Sequence, residues 1–173
     1  MNNPFSETGF SDLVIRPLHP EDRGIIDAFY DQMAGETRAF FNPADYNRRR
    51  THRYLDGKFS NSEHFIAVIR QERTETVAGY CFLWDCQFMI PWVGLAVSED
   101  WKGRHLGRNL LSFLIDHTKK TGKGGIMLTT HVSNIRAQAL YHRMGFRYMG
   151  RHTGGEMLFM MRFPVVKSTA DDV

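Results

Sequence analysis

Apolar residues fall in short runs separated by polar, glycine- and proline-bearing breaks, and the spacing inside each run assigns its element. Leu13–Leu18 is a run of strand length stopped by His19-Pro20. Pro20 suits the first position of a helix, and Glu21 and Asp22 suit the positive end of its dipole. Ile25, Ile26, Phe29, Tyr30 and Met33 then recur at helical spacing. Gly35 to Pro43 breaks the pattern and reads as an aromatic turn around Phe40-Phe41-Asn42-Pro43. A second helix is expected from Ala44 to Leu55, its apolar face resting on Tyr46, Tyr54 and Leu55. His64–Arg70 and Val77–Trp84 read as strands joined by the polar connection Gln71–Glu75.

The centre of the chain carries the strongest pattern. Val93, Leu95, Ala96 and Val97 form a buried strand, and Leu106, Leu110, Leu111, Leu114 and Ile115 place an apolar stripe on a helix running to Thr121. Gly122–Gly125 ends that helix and opens the strand Ile126–Val132. Strand, helix and strand within about forty residues form a right-handed crossover between parallel neighbours, with ligands beyond the strands' carboxyl ends. That places a ligand at Val97–Lys102 and His131–Asn134. A helix from Asn134 to Met144 follows, then strands Phe146–Arg151 and Met157–Phe163 joined by Thr153-Gly154-Gly155. The expected architecture is α/β (α+β): a mixed, largely antiparallel twisted sheet of about six to seven strands flanked by helices, around a central parallel β-α-β unit. No repeat or internal boundary is visible, so residues 1–165 read as a single domain and 166–173 as a disordered tail.

Composition narrows the function classes. With 42% hydrophobic and 24% charged residues in 173, the chain has the balance of an ordinary soluble domain. No apolar run approaches membrane-spanning length, and Met1–Glu7 lacks the pattern of a signal peptide, so a cytoplasmic location with no membrane partner is expected. The two cysteines, Cys81 and Cys86, read as core or near-core thiols, because neither a disulfide framework nor a metal-ligand spacing is present. A net charge of +3, without an aromatic stacking motif, argues against nucleic acid. The dense basic run Asn47–Arg53 reads either as a solvated helix face or as an attractor of carboxylate or phosphate.

Two motifs carry chemistry. The turn before Leu106 presents the free amides of a helix N-terminus beside Lys102, Arg104 and Arg108, a combination suited to phosphate. A plain helix cap beside a basic patch is the other reading of that stretch taken alone. Lys102-Gly103-Arg104-His105-Leu106-Gly107-Arg108 resembles the acyl-CoA pyrophosphate loop of the GNAT superfamily of N-acetyltransferases, with Lys102 in the place of Arg or Gln and Gly107 in the last small-residue place. His105 departs from the resemblance, since glycine is usual there. The second motif is the more specific. In Asn134-x-x-Ala137-x-x-Leu140-Tyr141-x-x-x-Gly145-Phe146, Ser133 or Asn134 caps a helix that Gly145 ends, and Asn134 and Tyr141, seven apart, share one face. This pattern closely resembles the last motif of the same superfamily. With the loop upstream in the right order, the resemblance covers nearly the whole chain except Gly35–Leu55 and the tail.

The resemblance implies acetyl-CoA as cosubstrate, no metal, and transfer to a primary amine by direct attack in a ternary complex. Leu95, Ala96 and Val97 would then offer backbone amides to the pantetheine arm and the reacting carbonyl. Lys102 to Arg108 would hold the diphosphate, with Asn134 and Ala137 lining the cofactor, and Tyr141 would hand a proton to the leaving thiolate. No carboxylate is marked as general base. His131, at the end of the flanking strand, ranks first, ahead of Asp85 and Glu99 acting through water. Phe40, Phe41 and the Arg48–Arg53 run are candidates for acceptor contact. The acceptor reads as a small-molecule or peptide amine, and a homodimer is left open. A non-catalytic acyl-CoA sensor on the same fold is the competing reading. A different nucleotide enzyme is disfavoured, because neither phosphate-binding glycine fingerprint is present.

Overall fold

The computed structural model describes residues 13–71 and 74–164. The connection at 72–73 and the expected tail at 166–173 lie outside the described residues. Strands β1 Leu13–Pro17, β2 Ser62–Gln71, β3 Thr74–Trp84, β4 Trp92–Val97, β5 Gly125–Thr130, β6 Arg147–Arg151 and β7 Met157–Arg162 form one seven-stranded sheet in the order β1-β2-β3-β4-β5-β7-β6. Neighbours are antiparallel throughout except β4 and β5, the expected parallel crossover pair. The helices are α1 Arg23–Gln32, α2 Gly35–Phe41, α3 Tyr46–Leu55, α4 Leu106–Lys120 and α5 Ile135–Arg143.

Strand alternation gives the sheet a core on each face. Cys81, Leu83 and Val93 meet Leu106, Leu110, Leu111 and Leu114 of α4 and Tyr141 of α5. Tyr80, Phe82 and Ala96 meet Ile26, Phe29 and Tyr30 of α1 and Phe41 of α2. The register steps between Ala67 and Val68, leaving Ala78 extra on β3. The alternation changes phase there, so Val77 shares the face of Tyr80 and Phe82. The leucines of α4 are 0–1% exposed, each contributing about 1.5–3 kcal/mol of burial.

One expectation is corrected. Gly35–Phe41 is a helix rather than a turn. It is too short to show a period, and tertiary contacts hold it. The Arg38 guanidinium donates to the C-terminal carbonyls of α1 at Met33 (2.9 Å) and Tyr30 (3.0 Å), and Phe41 stacks on Tyr30. The next helix also starts later than expected, at Tyr46, because Ala44 and Asp45 take positive φ values of 47° and 57°. No helix of the described residues is long and apolar enough to cross a membrane.

Candidate active site

The parallel pair comes apart. Its single registered pair joins Trp92 to Met127, whose amide donates to Pro91 O at 3.0 Å. Beyond it β4 continues to Val97 against β3, and β5 continues to Thr130 against β7. Ser98 N–H donates to Ala78 O, and Ala96 is partnered with Tyr80. By the two-residue alternation of an antiparallel ladder, the N–H and C=O groups of Leu95 and Val97 point the other way, into the gap. Ala96 turns its own polar groups toward β3.

A cavity of about 530 Å³ occupies this gap. Its walls include Phe41 and Phe82, from the core under α1, and Tyr141, from the core under α4. A single cavity touching both cores passes through the sheet where β4 and β5 separate. Gly94 lies on its wall for a steric reason, since a Cβ there would stand 2.1 Å from the Phe82 ring.

On the α4 side, the helix opens without a side-chain cap. Its first amides, from Leu106, Gly107 and Arg108, therefore carry the dipole's positive end unopposed. Gly103 (φ 80°) and His105 (φ 61°) turn the chain into the helix through left-handed conformations, which explains why glycine suits the position that His105 holds. A Cβ on Gly107 would make only ordinary contacts of 3.7–3.9 Å with Leu140, Val97 and Leu95. Protein packing leaves that backbone room for another molecule's approach. Lys102 is engaged elsewhere, with Nζ 2.7 Å from Glu99 and 2.5 Å from Thr37 of α2. Arg104 lies over the Trp101 ring at 5.0 Å, and Arg108 is exposed.

The second motif folds as its residues dictate. Asn134 Oδ1 accepts from Ala137 N–H at 3.2 Å, and Phe146 N–H donates to Tyr141 O at 3.0 Å. The Gly145 ending (φ 91°) thus fixes Tyr141 against Phe146 and Phe159. Asn134 and Tyr141 both line the cavity, and Tyr141 is 8% exposed. Desolvation raises the Tyr141 hydroxyl above the ordinary tyrosine range. Two other tyrosines are as deeply buried, but Tyr30 and Tyr80 spend their hydroxyls on Thr51 at 2.9 and 2.8 Å. Among the described residues the Tyr141 hydroxyl has no hydrogen-bond partner.

The candidate bases separate by position. Asp85, in a left-handed turn (φ 57°), lines the cavity. His131 is exposed, bonded through Nδ1 to Ser133 Oγ at 2.7 Å and stacked on Phe40, outside the lining residues. Glu99 also lies outside them, and its bonds to Lys102 and Thr37 hold its carboxyl below the usual range. Cys81 is buried with its thiol pushed up by desolvation, and Cys86 is pushed up to about 11 by burial and Glu63.

Of the arginines in the basic run only Arg50 reaches the cavity, with Asn47, beside Phe40, Phe41 and Tyr46. Arg48 and His52 pair instead with Asp27 of α1, at 3.0 and 2.7 Å. Trp84, Trp92, His152 and Glu156 also form the wall, and nothing in their spacing marks them in the sequence. They converge only because β3, β4 and β7 are brought together in the sheet. Among the described residues no group of three or more His, Cys, Asp or Glu could hold a metal ion.

Comparison with known proteins agrees with the geometry. The model of the acetyltransferase (GNAT) family matches residues 26–146. The chain is 35% identical over 78 residues to the [ribosomal protein bS18]-alanine N-acetyltransferase of Escherichia coli (strain K12), covering 41% of this chain and 53% of that protein. It is 25% identical over 96 residues to the putative [ribosomal protein bS18]-alanine N-acetyltransferase of Bacillus subtilis (strain 168), covering 56% of this chain and 60% of that one. The chain thus spans 53–60% of the length of these curated relatives. In fold it is similar to the spermidine N-acetyltransferase of Vibrio cholerae solved with CoA and spermine, with a TM-score of 0.66, 16% identity, and coverage of 88% of this chain and 95% of that one. The parted strands, the uncapped helix and the Asn134–Tyr141 face belong to a chain whose family is now plain: it is a member of the acetyltransferase (GNAT) family.

Proposed function

We propose that the protein is an N-acetyltransferase that uses acetyl-CoA and a primary amine together in one ternary complex. The observation that carries this reading is the hydroxyl of Tyr141, without a partner among the described residues, on the wall of a cavity that crosses the sheet. Bound acetyl-CoA would supply a thioester carbonyl open to attack by the amine.

The chain's own groups divide the work. The amides of Leu106, Gly107 and Arg108, with Gly103 shaping the turn and the charges of Arg104 and Arg108 beside it, hold a diphosphate. Lys102 adds to this charge on exchanging Glu99 for phosphate, and His105 stands at the edge of the turn. Leu95 and Val97 turn backbone groups into the gap to hold an extended amide-bearing arm and to polarise a carbonyl, and Ala96 keeps the spacing between them. Asn134 fixes the start of α5, and Ala137 keeps the helix surface low beside Tyr141. Tyr141 donates its proton to the departing thiolate. Desolvation keeps its hydroxyl protonated across the neutral range and penalises a thiolate in the same cavity, so the donor and its acceptor shift in the same direction. Asp85 takes the amine's proton, ahead of His131, because it stands in the cavity wall. An acyl-cysteine route is disfavoured by thiols raised well out of the thiolate range.

Tyr141→Phe tests this reading. The hydroxyl it removes makes no bond among the described residues, so folding stability should be unchanged. Turnover in a thiol-release assay should fall about 100-fold or more, with the Kd for CoA in calorimetry within about twofold. Unchanged turnover removes the acid role. CoA binding without thiol release for any amine leaves an acyl-CoA-binding module.

A further inference from the structure

The cavity is charged in a specific way. Among the described residues its only charged lining residues are Arg50, Asp85 and Glu156. Among the described residues none of the three has an ion-pair partner, whereas Arg16, Arg23, Arg38, Arg48 and Arg70 all do. Arg50 is held by its flat face. Its guanidinium carbon lies 3.7 Å from the Trp84 ring centroid and 4.5 Å from that of Phe59, and Nη1 donates to Tyr46 Oη at 3.1 Å. Stacking buries Nε without a partner and leaves the fork's charge uncompensated beside the cavity. A half-buried guanidinium with no counter-ion is costly unless a bound molecule supplies one.

Resting on the N-acetyltransferase reading above, the geometry points to a small zwitterionic acceptor, a free amino carboxylate of amino-acid type. Its carboxylate sits on the fork of Arg50, and its ammonium is received by Asp85 and Glu156 on the way to the reacting centre. The single positive charge matches one carboxylate. A dianionic phosphate would face two unpaired carboxylates in the same cavity. A polyamine would set one of its cations against Arg50, and an amine lacking any anion would leave that charge unpaired. Apolar cover comes from Phe40, Phe41 and Trp92, which suits an apolar or aromatic side chain.

The test is thiol release from acetyl-CoA with free amino acids, each assayed beside its own carboxamide, and with a short peptide and spermidine. The best free amino acid should exceed its carboxamide by at least about tenfold in kcat/KM, since a site built to pair a charged group discriminates against its absence. Arg50→Gln should raise KM for the acid about tenfold or more and leave the carboxamide's KM in place. Arg50→Lys, which keeps the charge and loses the stack, should fall between. A carboxamide, a peptide N-terminus or spermidine used as well as the free acid overturns the proposal while leaving an N-acetyltransferase. Loss of both acid and carboxamide activity in Arg50→Gln with folding intact overturns it too. Absence of thiol release with every amine, despite CoA binding, would instead bring down the underlying reading.

Discussion

His105 shows how much one residue can reveal. Its φ of 61° and ψ of 4° place an L residue in left-handed space at the first cap of α4. Such a conformation costs about 1–2 kcal/mol, part of which glycine would return to unfolded-state entropy. His105→Gly is therefore expected to stabilise the fold by about 0.5–1 kcal/mol, read as a higher urea midpoint at unchanged slope. A lower midpoint would mean that the imidazole offsets its own strain. The departure from glycine was visible in the sequence, but the positive φ was not, because histidine tolerates either hand. Tyr141 was legible through its spacing from Asn134 and Gly145. Arg50 was not separable from Arg48 and Arg49, since three adjacent arginines look alike until the helix assigns each a direction.

At the level of elements, α3 is three helices in one. One edge sends Arg48 and His52 to Asp27, a second sends Asn47 and Arg50 to the cavity, and a third buries Thr51 and Leu55. Its sequence reads as a wet face because so many polar groups are satisfied by neighbouring elements, and periodicity counts only apolar residues. Thr51 belongs to a chain of buried hydroxyls that runs from Tyr30 through Thr51 and Tyr80 to Nδ1 of His64, with Nε2 of His64 3.0 Å from Ser62 Oγ. Desolvation, and secondarily the charge of Arg50, lower His64 to about 3 from 6.5. The unfolded chain then binds a proton that the native chain refuses between those limits. Stability is full above about pH 6.5 and falls as pH drops toward 3, by on the order of 1 kcal/mol per pH unit from this group. Urea titrations at pH 7, 6 and 5 should show that slope, above the range where Asp22 and Asp27 contribute. His64→Gln should start less stable and lose the one-proton slope. A wild-type curve flat from pH 7 to 5 would refute the neutral buried imidazole.

At the scale of the molecule, the strands and the parallel crossover were legible because their apolar runs are strong and their breaks are marked by glycine and proline. The insertion of β7 between β5 and β6 was not, because β6 is largely exposed and carries little apolar signal to fix its neighbour. The wall residues Trp84, Trp92, His152 and Glu156 were hidden for the same reason, as sheet order alone brings them together. Because β4 and β5 part beyond Trp92 and Met127, the sheet is a partition with a window in it. In the proposed reaction each reactant would have a door of its own: the coenzyme would come from the side of α4 and α5, the amine from the side of α2 and α3. Neither would have to leave for the other to enter. Double-reciprocal plots of initial velocity should therefore intersect rather than run parallel, and CoA as product should compete with acetyl-CoA but not with the amine. Parallel lines would mean that the window admits only one traveller at a time.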